Sequence, residues 1–513
     1  MQSSSIAERI KALPAGGITL NIDGLSEPPW DFQSHDIAWM LAQKSGIIGS
    51  EVGTGKTMLA IGAAQYLKTK MANDWRGMVV LMPKMAGVLP AQWQSELAKF
   101  APQLHVVWAQ GDKRERWLSY NESWDVLLLN YEAARNDTEV LKRLWQRDGP
   151  TMLFCDEATA FRNGSSKTAS LIRVISGFFQ YRFAVTGTPI QTNLEDLHGI
   201  CSSMGWGDLV GTKAWFVRRY CIQNQVEFYV GGIKRSKLVT VGYKNMGELR
   251  ARLEPWFIRR QLTDPEVAKR VPSVVSFVFR LEMTRAQRVL YNQTQRGMLT
   301  EVRGGEIETT YVDALQKYGY LAAIADGTKT FNHELEDRSI KSDWLMAALQ
   351  GSMAAEKVLV FSRFVRSIRP LEVRLEEAGI GYGLFLGGSH QTHEERMADI
   401  ERFRHDPECR VLMATQAVEM GLNLQVARVV VFYGFLPNPK RMEQILGRIR
   451  RAGSPHANVA AITLLAADTV EEGVYDTTVE RGAIGDVFWE EESVLFEKLG
   501  ADRLMQLIRD YHP

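Results

Sequence analysis

Residues 46–60 read GIIGSEVGTGKTMLA, and this stretch decides the fold. The apolar Gly46–Ile48 reads as the end of a buried strand, MLAIGAAQYL from Met58 reads as a helix, and a glycine loop joins them. A phosphate needs that order. Gly53 and Gly55 let the backbone turn so that successive N–H groups face an anion at a helix N-terminus. Lys56 adds a point charge, and the Thr57 hydroxyl is suited to ligate Mg2+. Glu51, Val52, Gly53, Thr54, Gly55, Lys56 and Thr57 are therefore the expected contacts of the loop. Ser50 stands where such a loop ordinarily has its first glycine. A glycine-rich helix start with no ligand is the alternative for this motif taken alone.

Around the loop the chain alternates short apolar runs with helical spacing, the pattern of a parallel sheet covered on both faces. GMVVLMP, WDVLLLNY, TMLFCDEA and YRFAVTGTP supply the runs of the first half. EKVLVFSRF, GYGLFLGG, CRVLMAT, ARVVVFYG and AAITLLA repeat the plan in the second. Between them, from about Gln191 to about Ile340, helical spacing dominates, with one hairpin expected around Gly231 and Gly232. The fold class expected is α/β, two parallel-sheet lobes with a mainly helical insertion between them.

Two further clusters carry chemistry. TMLFC ends in Asp156 and Glu157, which places two carboxylates at the C-terminal end of a buried strand, where ligands of α/β sheets bind. Asp156 would hold Mg2+ through water, and Glu157 would position and polarise an attacking water. An Asp-Glu pair by itself is more often a helix cap. In the second half, KRMEQILGRIRRAG puts Arg448 and Arg451 three apart on one expected helix face, with Gln444 one turn before Arg448. Charge alone favours a solvated basic helix. Two α/β lobes of which only the first has a phosphate loop favour arginines that stabilise transition-state charge.

With 513 residues the chain is too long for one ordinary core and is expected to divide. Lys+Arg 61 against Asp+Glu 60 leaves a net charge of +1, so a polyanion must be held by local basic clusters. The 4 cysteines, Cys155, Cys201, Cys221 and Cys409, form no CxxC pair, which argues against a disulfide scaffold and against structural zinc. The longest apolar runs fall far short of a membrane span and the amino terminus lacks the apolar core of a signal peptide, so a reducing cytoplasm is expected; a bacterial or phage-infected cell is expected only from the economy of the chain.

Taken together, these residues resemble the superfamily-two helicase-like ATPases, and within them the Swi/Snf family of double-stranded DNA translocases. DFQSHDIAWML resembles the family's Q motif, which implies that Gln33 reads adenine. VVLMPKMAGVLPAQWQSELAKF resembles motif Ia, DEATAFRNGSSKTA the DEAH box with Thr159 in place of His, and AVTGTPIQTNLEDL motif III. FIRRQLTDPEVAKRVPS and LEMTRAQRVLY resemble family-specific middle segments. KVLVFSRF is similar to motif IV, and ATQAVEMGLNLQVARVVVFYGFLPNPKRMEQILGRIRRAG to motifs V and VI. Ser50, Asn130, Thr159 and the ending Arg451-Ala452-Gly453-Ser454 mark a divergent member, and the layout is most like the annealing-helicase and prokaryotic branch.

The resemblance implies two RecA-like lobes at 1–200 and 341–478 and a mainly helical, family-specific insertion with a basic hairpin at 201–340, while the last stretch, 479–513, reads as a helical tail packed on the second sheet. It implies ATP and Mg2+ as cofactors, with Gly421 and Asn423 added to the ATP contacts. Duplex DNA is the implied partner, held by Lys84, Asn130, Thr188, Ser362, Arg363 and Thr415 through its phosphates and without base reading. Arg218, Arg219, Lys234, Arg235, Lys237 and Lys244 make the middle region locally basic. Nearby, Trp215 and Phe216 are expected to fill a core. The function expected is an ATP-driven motor on duplex DNA that depends on an unknown targeting protein. The rivals are a strand-separating helicase on single-stranded DNA or RNA, and a silent DNA-binding scaffold.

Overall fold

The computed structural model describes residues 10–11, 17–84, 88–187, 194–230, 233–303, 311–387, 390–415, 418, 422–435, 439–451 and 453–484. The chain divides into two compact units, Met1–Lys269 and Arg270–Pro513.

The first unit contains β1 (Ser45–Ile48), β2 (Met78–Met82), β3 (Val106–Trp108), β4 (Val126–Asn130), β5 (Met152–Cys155), β6 (Tyr181–Val185), β7 (Cys221–Val230), β8 (Ile233–Tyr243) and β9 (Phe257–Ile258). Seven of these form one sheet in the order β3-β4-β2-β5-β6-β1-β9, with every neighbouring pair parallel. Side chains alternate between the two faces of a strand, and both faces here are covered. Val79, Leu81, Leu127, Leu129, Leu153 and Cys155 enter one core, while Met78, Val80, Val126, Leu128, Met152 and Phe154 enter the other. This explains why the strands read as unbroken apolar runs instead of alternating ones. β7 and β8 form a separate antiparallel hairpin with a register shift between Ile222 and Gln223. Gly231 and Gly232 lie outside the described residues.

The second unit contains β10 (Ser273–Leu281), β11 (Val358–Phe361), β12 (Gly381–Phe385), β13 (Cys409–Ala414), β14 (Val429–Phe432) and β15 (Asn458–Ala466). They pair in parallel in the order β10-β15-β14-β11-β13-β12. Val358, Val360, Val411, Met413, Val429 and Val431 pack on one face with helices Ile340–Gln350 and Val365–Glu377.

Residues 201–340 are shared between the units and carry strands as well as helices. Among the helices are Lys213–Tyr220, Met246–Leu253, Arg285–Arg303 and Tyr311–Asp326. Phe216 is buried there, and Trp215 packs against the same core. The strands are the hairpin, β9 as the edge of the first sheet, and β10 as the edge of the second. β9 is too short to show a period, and β10 leaves Val275, Phe277 and Val278 exposed, so its residues do not alternate as those of a half-buried strand do.

A buried ionic cluster ties the second unit together. Lys341 Nζ lies 2.8 Å from Asp326 Oδ1 and 2.8 Å from Glu471 Oε2, with all three side chains shut off from solvent. Ser367 Oγ donates to Asp326 Oδ2 at 2.8 Å, and the Tyr433 hydroxyl donates to the Asp326 carbonyl at 2.9 Å. Burial alone would depress the Lys341 ammonium, but the two carboxylates outweigh it and raise the pKa above the ordinary lysine value. Its contribution to stability is therefore complete below ~10.4, the pKa of an unfolded lysine, and is lost only as pH rises through the folded value. Removing one partner of a buried pair strands the other charge, which costs about 3–5 kcal/mol. Lys341→Met should therefore strip hydrogen-exchange protection from Val358–Phe361 and Cys409–Ala414; unchanged protection would show that the cluster is dispensable.

Candidate nucleotide site and nucleic-acid face

Parallel strands release their functional residues where pairing stops, at their C-terminal ends. β1 gives way to Gly49 and Ser50, and the helix Lys56–Lys70 begins at Gly55. Gly53 and Gly55 have φ of 91° and 81°, a left-handed backbone that favours glycine. A Cβ on Gly55 would also sit 2.5 Å from Gln33 Nε2, so the glycine admits the glutamine as well as the turn. Gln33 is buried on helix Asp31–Gln43, and its Oε1 accepts the Trp30 N–H at 3.0 Å. Lys56 Nζ lies within the loop, donating to the carbonyls of Ser50 at 2.9 Å and Glu51 at 3.1 Å. Thr54 Oγ1 donates to the Glu51 carbonyl at 2.8 Å.

β5 ends in Asp156 and Glu157. It is separated from β1 by one strand, β6, so the two strand ends lie roughly 10 Å apart at the usual spacing. Thr186, just past β6, donates its N–H to the Ile48 carbonyl at 3.0 Å and ties the start of the third motif to the loop strand. Asp156 Oδ2 accepts the indole N–H of the buried Trp93 at 3.1 Å, and Asp156 Oδ1 accepts the Glu157 N–H at 3.0 Å. The Tyr131 hydroxyl donates to the Asp156 carbonyl at 2.8 Å. Glu157 has φ 49°, ψ 57°, a left-handed conformation that costs a non-glycine residue roughly 1–3 kcal/mol. It opens the short 3₁₀ turn Ala158–Phe161, yet its carboxylate makes no capping bond there, unlike an ordinary Asp-Glu cap.

The loop is also braced from a distant segment. Beyond β9, the Arg260 carbonyl accepts the Glu51 N–H at 2.9 Å and the Arg260 N–H donates to Ser50 Oγ at 3.0 Å. Glu51 Oε2 accepts the Leu262 N–H at 2.8 Å. Ser50, the departure from the usual glycine, thus has a structural partner.

Hard oxygen donors at Thr57 and Asp156 suit Mg2+, and the glycine cradle with Lys56 suits a nucleotide's phosphates, so the residues present fit both groups. When bound, Mg2+ with its phosphates would supply charge neutralisation at the transferred group.

Lys84 and Asn130 meet at the same edge of the first sheet, since Met82 is the register partner of Asn130. Lys84 is exposed and 3.5 Å from Glu132, while Asn130 Oδ1 accepts the Ala133 N–H at 2.8 Å and caps helix Tyr131–Asn136. In the second unit, Ser362 and Thr415 follow the paired residues Phe361 and Ala414. Ser362 is fully buried, its Oγ accepting the Phe364 N–H at 3.3 Å, and Thr415 Oγ1 accepts the Gly387 N–H at 3.2 Å. Arg363 lies over the Tyr318 ring at 5.6 Å. Arg219 pairs with Glu248, whereas Arg218 and Lys244 are exposed. Thr188 and Gly421 lie outside the described residues.

Arg448 is buried on helix Pro439–Ile449, where its carbonyl accepts the Leu424 N–H at 3.0 Å. Gln444 is half-buried on the same helix. Asn423 Oδ1 accepts the Gln425 N–H, and its carbonyl is held by Arg404 at 2.8 Å. The expectation of Arg448 and Arg451 on one helix face needs correction. The helix stops before Arg451, because Gly453 turns at φ 80° and its N–H reaches the Arg270 carbonyl, while Arg450 Nε donates to the Pro272 carbonyl at 3.0 Å. Sequence reading also missed Trp93, Tyr131 and the Arg260 brace. All three lie in apolar runs or family-like segments of the chain, but no spacing rule links them to the loop.

The SNF2-related domain model matches residues 32–335, and the helicase conserved C-terminal domain model matches residues 340–453. The chain is 28% identical over 466 residues to the mouse chromodomain-helicase-DNA-binding protein 1-like, covering 86% of this chain and 48% of that protein. It is 26% identical over 518 residues to the human SWI/SNF-related matrix-associated actin-dependent regulator of chromatin subfamily A member 1, covering 94% and 46%. The chain thus spans about half the length of the curated relatives it matches. Among solved structures, the Pyrococcus furiosus Hef helicase domain superposes with a TM-score of 0.55 at 17% identity, over 88% of this chain and 98% of that one, which shows the two-lobed fold.

Two substitutions test the site. Trp93→Phe removes the donor to Asp156, and losing such an outer contact typically weakens a metal site by about 10–100-fold, so the Mg2+ activation curve of ATP hydrolysis should shift by about that factor. Glu157→Gly should abolish turnover while raising the unfolding midpoint, since glycine relieves a strain of roughly 1 kcal/mol or more; a lowered midpoint would show that the conformation is not strained.

Proposed function

The chain belongs to the SNF2-related family, and from that premise we propose that it is an ATP-driven motor on duplex DNA. In the first unit the parallel sheet and helix Asp31–Gln43 gather Gln33, the glycine loop and the Asp156-Glu157 pair at one strand edge, and that convergence supports the reading, in which Gln33 contacts the adenine. Lys56 and the loop N–H groups hold the phosphates. Thr57 and Asp156 hold Mg2+. Glu157 orients the attacking water and takes its proton as the water oxygen bonds to the γ-phosphorus and the bond to the β,γ-bridging oxygen breaks, ADP leaving with that oxygen, and its strained backbone keeps the carboxylate out of the turn it opens. Gln444, Arg448 and Arg451 supply polar contact and positive charge from the second unit, with Gly421 and Asn423 completing its nucleotide contacts.

Lys84, Asn130 and Thr188 in the first unit, and Ser362, Arg363 and Thr415 in the second, hold one DNA strand through its phosphates. Binding is then independent of base sequence. Each round of hydrolysis steps the motor along that strand. Among the described residues no helix is long and apolar enough to cross a membrane.

Steady-state ATPase assays with matched double-stranded DNA, single-stranded DNA and RNA test the proposal. Duplex DNA should stimulate turnover most, and Glu157→Gln should abolish it with nucleotide binding retained. Stimulation chiefly by single strands or RNA would transfer the assignment to a strand-separating helicase, and inactivity under all conditions would favour a silent scaffold.

A further inference from the structure

The segment Arg259–Leu262 joins two parts of the nucleotide site that the sequence keeps far apart. One side of it extends the pairing of β9 along the phosphate loop: Gly49 N–H to the Ile258 carbonyl at 2.8 Å, Glu51 N–H to the Arg260 carbonyl at 2.9 Å, and Arg260 N–H to Ser50 Oγ at 3.0 Å. The Arg260 side chain turns to helix Asp31–Gln43. Its Nε lies 3.0 Å and 3.2 Å from the two carboxylate oxygens of Asp36, and its Nη2 lies 2.9 Å from His35 Nδ1. The Asp36 side chain is 1% exposed and that of Arg260 14%, so the pair works with little competition from water. Asp36 lies one helical turn after Gln33, whose amide nitrogen reaches the phosphate loop at Gly55. A guanidinium fork fixes direction as well as charge, which a lysine would not do.

We propose that Arg260 is a positioning residue for base recognition: it locks the Gln33 helix to the phosphate loop, so that the base and the phosphates are registered as one rigid unit. The inference rests on Gln33 being the adenine contact. Without the lock, the loop still grips phosphates but Gln33 no longer meets the base at fixed distance and angle. Arg260 touches no nucleotide itself. Discrimination should therefore fall more than phosphate affinity does.

The test compares ATP with GTP in kcat/KM and in equilibrium binding of their fluorescent methylanthraniloyl derivatives, for the intact chain and for Gln33→Ala, Arg260→Gln, Arg260→Lys and Asp36→Asn, with thermal unfolding measured alongside. Gln33→Ala should lower the ATP/GTP ratio by about tenfold or more. Arg260→Gln and Asp36→Asn should lower it comparably, Arg260→Lys should not restore it, and Arg260→Gln added to Gln33→Ala should lower it no further. A ratio that Gln33→Ala reduces but Arg260→Gln and Asp36→Asn leave intact, even with a lower unfolding midpoint, makes Arg260 a purely structural brace and overturns the proposal. A ratio that Gln33→Ala leaves intact overturns the adenine role of Gln33 and the proposal with it. Should Arg260→Gln fail to fold, the near-isosteric Asp36→Asn decides alone.

Discussion

Backbone pairing in a parallel sheet covered on both faces is the constraint on which the rest depends. Within β2 and β5 a strand pairs on either side and every side chain enters one of two cores. Chemistry can begin only where the pairing ends. Ser50, Lys84, Asn130 and Asp156 in the first unit, and Ser362 and Thr415 in the second, all lie within a few residues of a strand's C-terminal end.

A loop that is to bind phosphate must leave its N–H groups directed outward, so it cannot rigidify itself by bonding to them. Thr54 and Lys56 brace the carbonyls of Glu51 and Ser50 from within, and further rigidity comes from outside. Here it comes from β9 and the residues after it, which grip Ser50 and Glu51 from the flank, and from Gln33 against Gly55. The same economy holds Asp156, whose oxygens are oriented by Trp93 and by the N–H of Glu157. The strained backbone at Glu157 persists because its neighbours are fixed so firmly, by β5 before it and the buried Ala158 and Phe161 after it.

The second unit meets a different demand. Burial pushes the Glu471 carboxyl up, an effect the Lys341 ammonium opposes and the Asp326 carboxylate reinforces. Such a cluster is stable only when complete, which is why Ser339, Ser342, Ser367 and Tyr433 surround it with hydroxyls. It fixes helices Tyr311–Asp326 and Ile340–Gln350 against Tyr433 at the end of β14, beside the end of its neighbour β11, which Ser362 and Arg363 follow.

The sequence by itself determined what is local. Apolar runs bounded by turn residues marked most strands of both sheets, and the glycine loop marked the candidate phosphate site, because strand burial and left-handed turns each demand particular residues at fixed spacing. Phe216 was legible as core because large aromatic side chains dominate core burial. Only the tertiary structure decided what is distant: that β9 and β10 complete the two sheets, that the helix carrying Arg448 ends before Arg451, and that Trp93 reaches Asp156 and Arg260 reaches Ser50 and Glu51. These depend on pairings between residues far apart in the chain. A hydrogen bond from residue 260 to residue 50 leaves no periodicity in either segment, since its partners are selected by the packing of the whole unit.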